Sequence, residues 1–190
     1  GRPENKPMSL DEILRGITRF GMNDLSAEAL ADVSIDDIDM DLIKQTAEKI
    51  LLTSSSESDK EIFSKDGFNI LKGLGLLDRD NLPNIAAILL FGKEDVIKEH
   101  IPNHFVQYQV FNNSGEILRN EKYYQPIVKL FPLLLNSPEL SRNSNELIIN
   151  GQSVVISEYS KEGLREAIAN ALVHRDYTMH SGVQVQVFPT

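Results

Sequence analysis

No cysteine occurs among the 190 residues, which excludes disulfides and thiolate-bound metals and fits a reducing cytoplasm. Basic charge is scarce. Nineteen Lys and Arg stand against 28 Asp and Glu, for a net charge of −9 and a pI near 4.9. A surface that neutralises phosphate needs clustered Lys and Arg, so this segment is not expected to contact DNA itself. No apolar run approaches the roughly 18 residues of a membrane span, and no signal peptide opens the chain. The phosphate loop G-x-x-x-x-G-K-[ST] is missing, which excludes a P-loop motor, so Gly92-Lys93 is not a phosphate cradle. The acidic run Asp37-Ile38-Asp39-Met40-Asp41 lacks the in-register glycine and distal Glu of a calcium-binding EF-hand loop.

What remains is globular in composition, 41% hydrophobic and 25% charged, and long enough to bury a core. The opening Gly-Arg-Pro, without an initiator Met, leads us to expect a piece of a longer protein. Residues 1–8 read as a polar tail, and Ser9-Leu10-Asp11-Glu12 has the spacing of a capping box that opens a helix to about Phe20. Asn23 to Asp41 carries seven acidic residues and no basic one; it reads as an acidic connection with helix caps at Asp24 and Asp41. A helix over Asp41–Leu52 follows, with Leu42, Ile43, Ala47 and Ile50 on its buried face. The polar run Thr53–Asp59 reads as a linker.

Lys60–Lys72 reads as one helix closed by Gly73, and Leu74–Asp80 as a turn-rich connection. The apolar run Asn84–Lys93 has strand length and suggests a strand covered on both faces. His104–Asn112 is a second strand, Asn112–Gly115 a turn, and Glu116–Asn120 the strand that pairs back. Tyr123–Leu135 reads as a helix with Pro126 in its first turn and Pro132 bending it. Its aromatics Tyr123, Tyr124 and Phe131 are read as core rather than as a base-stacking platform. A polar loop spans Asn136–Asn145. Leu147–Ile149 and Ser153–Ser157 flank Asn150-Gly151 as a hairpin, and the alternation of Val183–Val187 predicts a strand with one buried face. This order gives the α+β class, divided into a helical connector over residues 1–58 and a mixed region over 59–190.

The chemistry concentrates in Leu164–Tyr177. Leu164, Ile168, Ala171 and Leu172 recur at helical spacing, and Ser160 and Tyr159 supply a cap and a hydrophobic staple. Glu166, Asn170 and His174 stand four residues apart and stack along another face. Flanked by Ala167, Ala169 and Val173, this stripe is expected to face something other than bulk water. A carboxylate, an amide and an imidazole in a row can hold a hydrated metal ion and position a water molecule.

The E-x-x-x-N-A-x-x-H pattern of Glu166, Asn170, Ala171 and His174 resembles the N-box of the GHKL ATPases, which share the Bergerat nucleotide-binding fold. The longer string Arg165 to Tyr177 is similar to a narrower branch, the ATPase-like module after a Schlafen/AlbA-type domain in prokaryotic transcriptional regulators, also described as RecG-like ATP-dependent DNA helicases. L-G-L-L-D at Leu74–Asp78 and the run Asn84–Lys93 resemble the same family, as does K-P-M-S-L-D-E-I at Lys6–Ile13. The resemblance implies a Schlafen/AlbA-type domain before residue 1 and a GHKL-like module beginning near residue 145. It implies that Glu166 orients or deprotonates the attacking water, that Asn170 ligates the Mg2+ held by ATP phosphates, and that Asn170, His174 and Arg175 belong to the nucleotide site.

The chain departs from the GHKL pattern in lacking a D-x-G-x-G box and later glycine segments, so ATP, Mg2+ and hydrolysis are expected only of the full-length protein. Arg175 could meet phosphate oxygens and Asp176 could orient His174; equally, the two could form an ion pair at the helix end. The functional expectation is part of a cytoplasmic, ATP-dependent, DNA-associated regulator that self-associates and meets DNA through parts outside these residues, with no membrane partner. The alternative is a non-catalytic regulatory or dimerisation module that keeps the fold. An unrelated enzyme using Glu166 and His174 as acid and base is a third reading.

Overall fold

The computed structural model describes residues 30, 32–140, 143–149, 152–157, 160–177 and 179–189. The expected tail, the Ser9 capping box, the Asp24 cap and the Tyr159 staple lie outside the described residues. The class is α+β: seven α-helices, a three-stranded mixed sheet and a two-stranded hairpin among the described residues.

A 3-10 turn over Ile35–Asp37 opens the described chain, closed by a capping box between Ser34 and Asp37. Helix α1 spans Met40–Thr53. Its cap is Asp39, whose carboxylate accepts the Leu42 N–H at 2.9 Å; the expected cap, Asp41, sits in the first turn, where its charge favours the helix dipole. The buried face is the one the periodicity predicts, with Thr46 added because its hydroxyl is satisfied by Leu42 O.

The serine-rich stretch after α1 is not a linker. Ser54 Oγ donates to the buried Asp59 carboxylate at 2.8 Å, and Ser56 caps α2 over Glu57–Phe63. These bonds fix a tight turn between helices that pack on each other. The single helix expected over Lys60–Lys72 is in fact two. Asp66 accepts the Asn69 N–H and starts α3, Gly67–Gly73, because a short carboxylate serves a helix start better than a helix interior.

The Asn84–Lys93 run is a helix, not a strand: α4 spans Ile85–Phe91. Periodicity cannot separate a short buried helix from a buried strand, and the flanks decide here. Asn84 Oδ1 accepts the Ala87 N–H at 2.9 Å while its Nδ2 donates to Gly75 O at 3.0 Å, so one side chain caps the helix and ties it to the preceding turn. Ala86 to Phe91 are all buried, as a helix apolar on every side must be. Gly92 ends it. A Cβ there would stand 2.6 Å from Ile88 O, and the chain pairs instead with Ile38, with Asp39 N–H donating to Phe91 O. Helix α5, Glu94–His100, follows.

Strand β1 (Val106–Phe111) pairs antiparallel with β2 (Ile117–Tyr123), from Val106 opposite Tyr123 to Phe111 opposite Ile117. The turn is held by Asn112 Oδ1, which accepts from the Ser114 and Glu116 amides. The predicted helix start at Tyr123 therefore belongs to β2, and α6 runs over Ile127–Leu135 with Pro126 as its N-cap and Pro132 inside it. Phe131 is in the core; Tyr123 and Tyr124 are half-buried. The expected hairpin is present but longer, pairing β3 (Asn143–Ile149) with β4 (Gln152–Ser157), so that β3 takes in the last residues of the loop expected over Asn136–Asn145. Helix α7 covers Lys161–Val173, and β5, Val183–Val187, returns parallel to β1 with Val106 opposite Val183. The sheet order is β2-β1-β5, so β1 is central and β5 presents an edge. One hydrophobic cluster runs from Val33 to Val187, with α4 inside it and α1, α5 and α6 against it.

Candidate functional site

Ser160 starts α7 by accepting the Gly163 N–H at 3.1 Å, and its own hydroxyl donates to the Glu162 carboxylate at 3.0 Å. Three residues are buried, Ile168, Ala169 and Leu172. At 100° per residue they mark the side of the helix that meets α6 and the sheet. Glu166, Asn170 and His174 lie on the other side, in the order helical spacing predicts. Glu166 is half-buried and the other two are exposed.

The structure brings Glu166 and Asn170 together. Asn170 Nδ2 donates to Glu166 Oε1 at 3.1 Å, which turns the amide oxygen away from the carboxylate. His174 is the C-cap, its N–H bonded to Asn170 O at 3.0 Å. The three residues expected to flank the stripe separate. Ala169 is wholly buried in the core, Val173 is half-buried, and Ala167 is exposed.

Ala167 and Ala171 border something else. Between α7 and β5 lies an apolar cavity of about 260 Å3, walled by Leu164, Ala167 and Ala171 from the helix and Val183, Val185 and Val187 from the strand. Ala167 follows Asn170 and His174 around the helix, so the polar stripe forms one lip of this cavity. The small alanines leave the space that larger side chains would fill. The cavity is below the roughly 300–1,000 Å3 usual for whole-ligand sites.

Arg175 is not on the stripe. Its guanidinium Nη2 donates to Ser181 O at 2.7 Å and to Met179 O at 3.5 Å, and its Cζ lies 4.8 Å from the centre of the Tyr177 ring. Burial lowers its pKa from the ordinary arginine value. It straps the turn that carries the chain from α7 to β5. Tyr177 completes the anchor: its hydroxyl donates to Leu172 O at 3.1 Å, and burial pushes its pKa up.

His104, at the head of β1, was not legible as part of this arrangement. It is 1% exposed, stacks on Tyr177 at 5.8 Å, and donates from Nε2 to Gln125 O at 2.9 Å. Burial above all, helped by the positive charge of Arg175, lowers its pKa to about 4. It is a neutral wedge beneath the end of α7. Its one sequence signal was its place before an alternating strand. The approach of β5 to β1 is as close: Val183 N–H donates to Phe105 O at 3.0 Å, and a Cβ on Gly182 would fall 2.3 Å from the Phe105 ring.

Among the described residues no three His, Cys, Asp or Glu side chains gather as a metal site. Asn170 and Glu166 offer an amide oxygen and a carboxylate. Magnesium takes few protein ligands and keeps several waters, so this donor pair fits an ion whose other ligands are phosphate and water. No helix among the described residues is long and apolar enough to cross a membrane.

Comparison with known proteins adds fold without chemistry. Residues 14–107, just under half of the chain, match a family described as Domain of unknown function (DUF8451). The chain is similar in structure to the DIP2311 protein from Corynebacterium diphtheriae, with a TM-score of 0.60 and 16% identity, over 90% of this chain and 33% of that one. At that identity the likeness is one of fold. The chain spans about a third of the length of that protein. No curated protein matches.

Proposed function

We propose that α7 and β5 form one wall of an ATP site of the GHKL type, in a protein whose full chain binds or hydrolyses ATP. The observation that carries this reading is the junction of an apolar, alanine-walled cavity with the hydrogen-bonded Glu166 and Asn170 pair. A base would enter between Ala167, Ala171 and the β5 valines, and phosphates would extend along the stripe. Bound ATP supplies the phosphoryl group, and its magnesium neutralises developing charge.

The chain's own residues have distinct tasks. Asn170 Oδ1 holds the cation in place, and Glu166 orients a water and takes its proton. The hydrogen bond from Asn170 Nδ2 fixes the carboxylate rotamer, so that the ordering cost is met before substrate arrives. Arg175, given to the nucleotide by the sequence pattern, acts in this proposal through the turn it straps. Contact with DNA by other parts of the protein, and self-association, rest on the family resemblance and belong to the same proposal.

The test is magnesium-dependent ATP hydrolysis by the full-length protein beside Glu166→Ala. Turnover lost in the variant with nucleotide still bound supports the reading. Equal turnover in both removes Glu166 from the chemistry. Absence of nucleotide binding in both leaves the alternative, a regulatory module with the fold and without the activity.

A further inference from the structure

Helices α1 and α6 both rest on α4, and between them lies an open groove of about 620 Å3. Its floor is apolar, from Leu42, Val128 and Phe131, and its rim carries Lys49, Lys129 and Arg165. Among the described residues no Asp or Glu lines it, although acidic residues outnumber basic ones 28 to 19 in the chain. This trough of net positive charge, with Asp39 at its margin, contrasts with a chain of net charge −9. It is separate from the proposed ATP wall, since none of its lining residues is shared with the α7–β5 cavity.

We propose that this groove docks an acidic amphipathic helix of a partner protein. Two features select that occupant. The first is the spread of the cations. Lys129 sits at the α1 start, where it pairs with Asp39 at 2.8 Å. Lys49 is ten residues further along α1, about 15 Å at the helical rise. A single phosphate cannot reach both ends, whereas carboxylates on successive turns of a helix can. The second is the apolar floor, which takes an i, i+3, i+4 stripe in the helix-in-groove manner.

The charges around the groove set its sign. Asp39 neutralises part of Lys129, and Arg165 packs its guanidinium 5.6 Å from the Phe131 ring centre. Rim amides from Gln45, Gln125 and Asn136 complete the polar border. Charge complementarity of this kind governs partner choice and encounter rate more than total affinity.

The experiment titrates the 190-residue chain into fluorescent helical peptides of about five turns with one shared leucine stripe and flanks of Glu, Gln or Lys. The Glu peptide is expected to bind at least about tenfold tighter than the Lys peptide, and its binding to weaken with added salt. Lys49→Glu, an exposed position that leaves the fold intact, reduces that affinity about tenfold. Lys44→Glu, on the opposite face of α1, leaves it unchanged. Equal affinity for the three peptides, no binding of the Glu peptide, or equal effects of the two Lys variants would overturn the proposal. So would displacement of the peptide by millimolar inorganic phosphate at constant ionic strength, which would make the groove a small-anion site.

Discussion

Acidification should loosen the end of α7 through one residue, His104. In the unfolded chain its imidazole titrates near 6.5; in the fold burial holds it neutral down to about 4. A group whose charged form is disfavoured by folding contributes stability that is present above its unfolded pKa and lost as pH falls toward its folded pKa. The window is therefore from about 6.5 to about 4. Across it the unfolded state binds one more proton, and stability falls by up to 1.4 kcal/mol per pH unit, about 3 kcal/mol in total. His104→Phe removes the titration but leaves Gln125 O without its donor, a cost of roughly 1–3 kcal/mol that does not change with pH. Urea unfolding of both proteins at stepped pH is the assay. The variant should be weaker at pH 7, and the two stabilities should converge on acidification. Lowered carboxylate pKa values, such as that of Asp39, are common to both proteins and cancel. Parallel curves through the window would refute the assignment of His104 as a buried neutral wedge.

Asn84→Ala removes both the α4 cap and the tie to Gly75 O, and should cost about 1–2 kcal/mol in chemical denaturation, more than an exposed cap does. Gly182→Ala should force β5 from β1, seen as faster hydrogen exchange at the Val183 amide, while exchange in α1 stays unchanged. Lys129→Met removes a largely exposed ion pair and should change stability by less than about 1 kcal/mol at neutral pH. The benefit of that pair lies above the ordinary carboxylate pKa and fades as Asp39 protonates, so acid should erase the difference.

Where one periodicity held over three turns or two strands, the elements were legible. Helices α1 and α7 and strands β1 and β5 follow from spacing, because inward and outward positions recur along each, and the two hairpin turns follow from their Asn- and Gly-containing sequences. Helix α4 was misread because seven consecutive apolar residues, six of them buried, carry no period; the information lay in Asn84, a cap residue that a strand does not need. The break between α2 and α3 likewise rested on Asp66 alone. In the candidate site, the pairing of Glu166 with Asn170 was legible because it is local to one helix. The cavity beside it was not. It exists because β5 lies parallel to β1, a pairing across some 77 residues between Val106 and Val183, and no local pattern encodes which strand becomes the neighbour. The contacts of Arg175 were not legible for the same reason, since its acceptor carbonyls belong to a turn whose path depends on that pairing.

The direct test of the site is nucleotide titration of the full-length protein, isotopically labelled within this segment, with and without magnesium, read at the backbone amides. The account predicts that shifts concentrate at Ala167, Asn170, Ala171 and Val183–Val187, that magnesium enlarges them, and that Asn170→Ala abolishes the magnesium effect. Shifts elsewhere with these residues silent, or a magnesium response unchanged in Asn170→Ala, would contradict it.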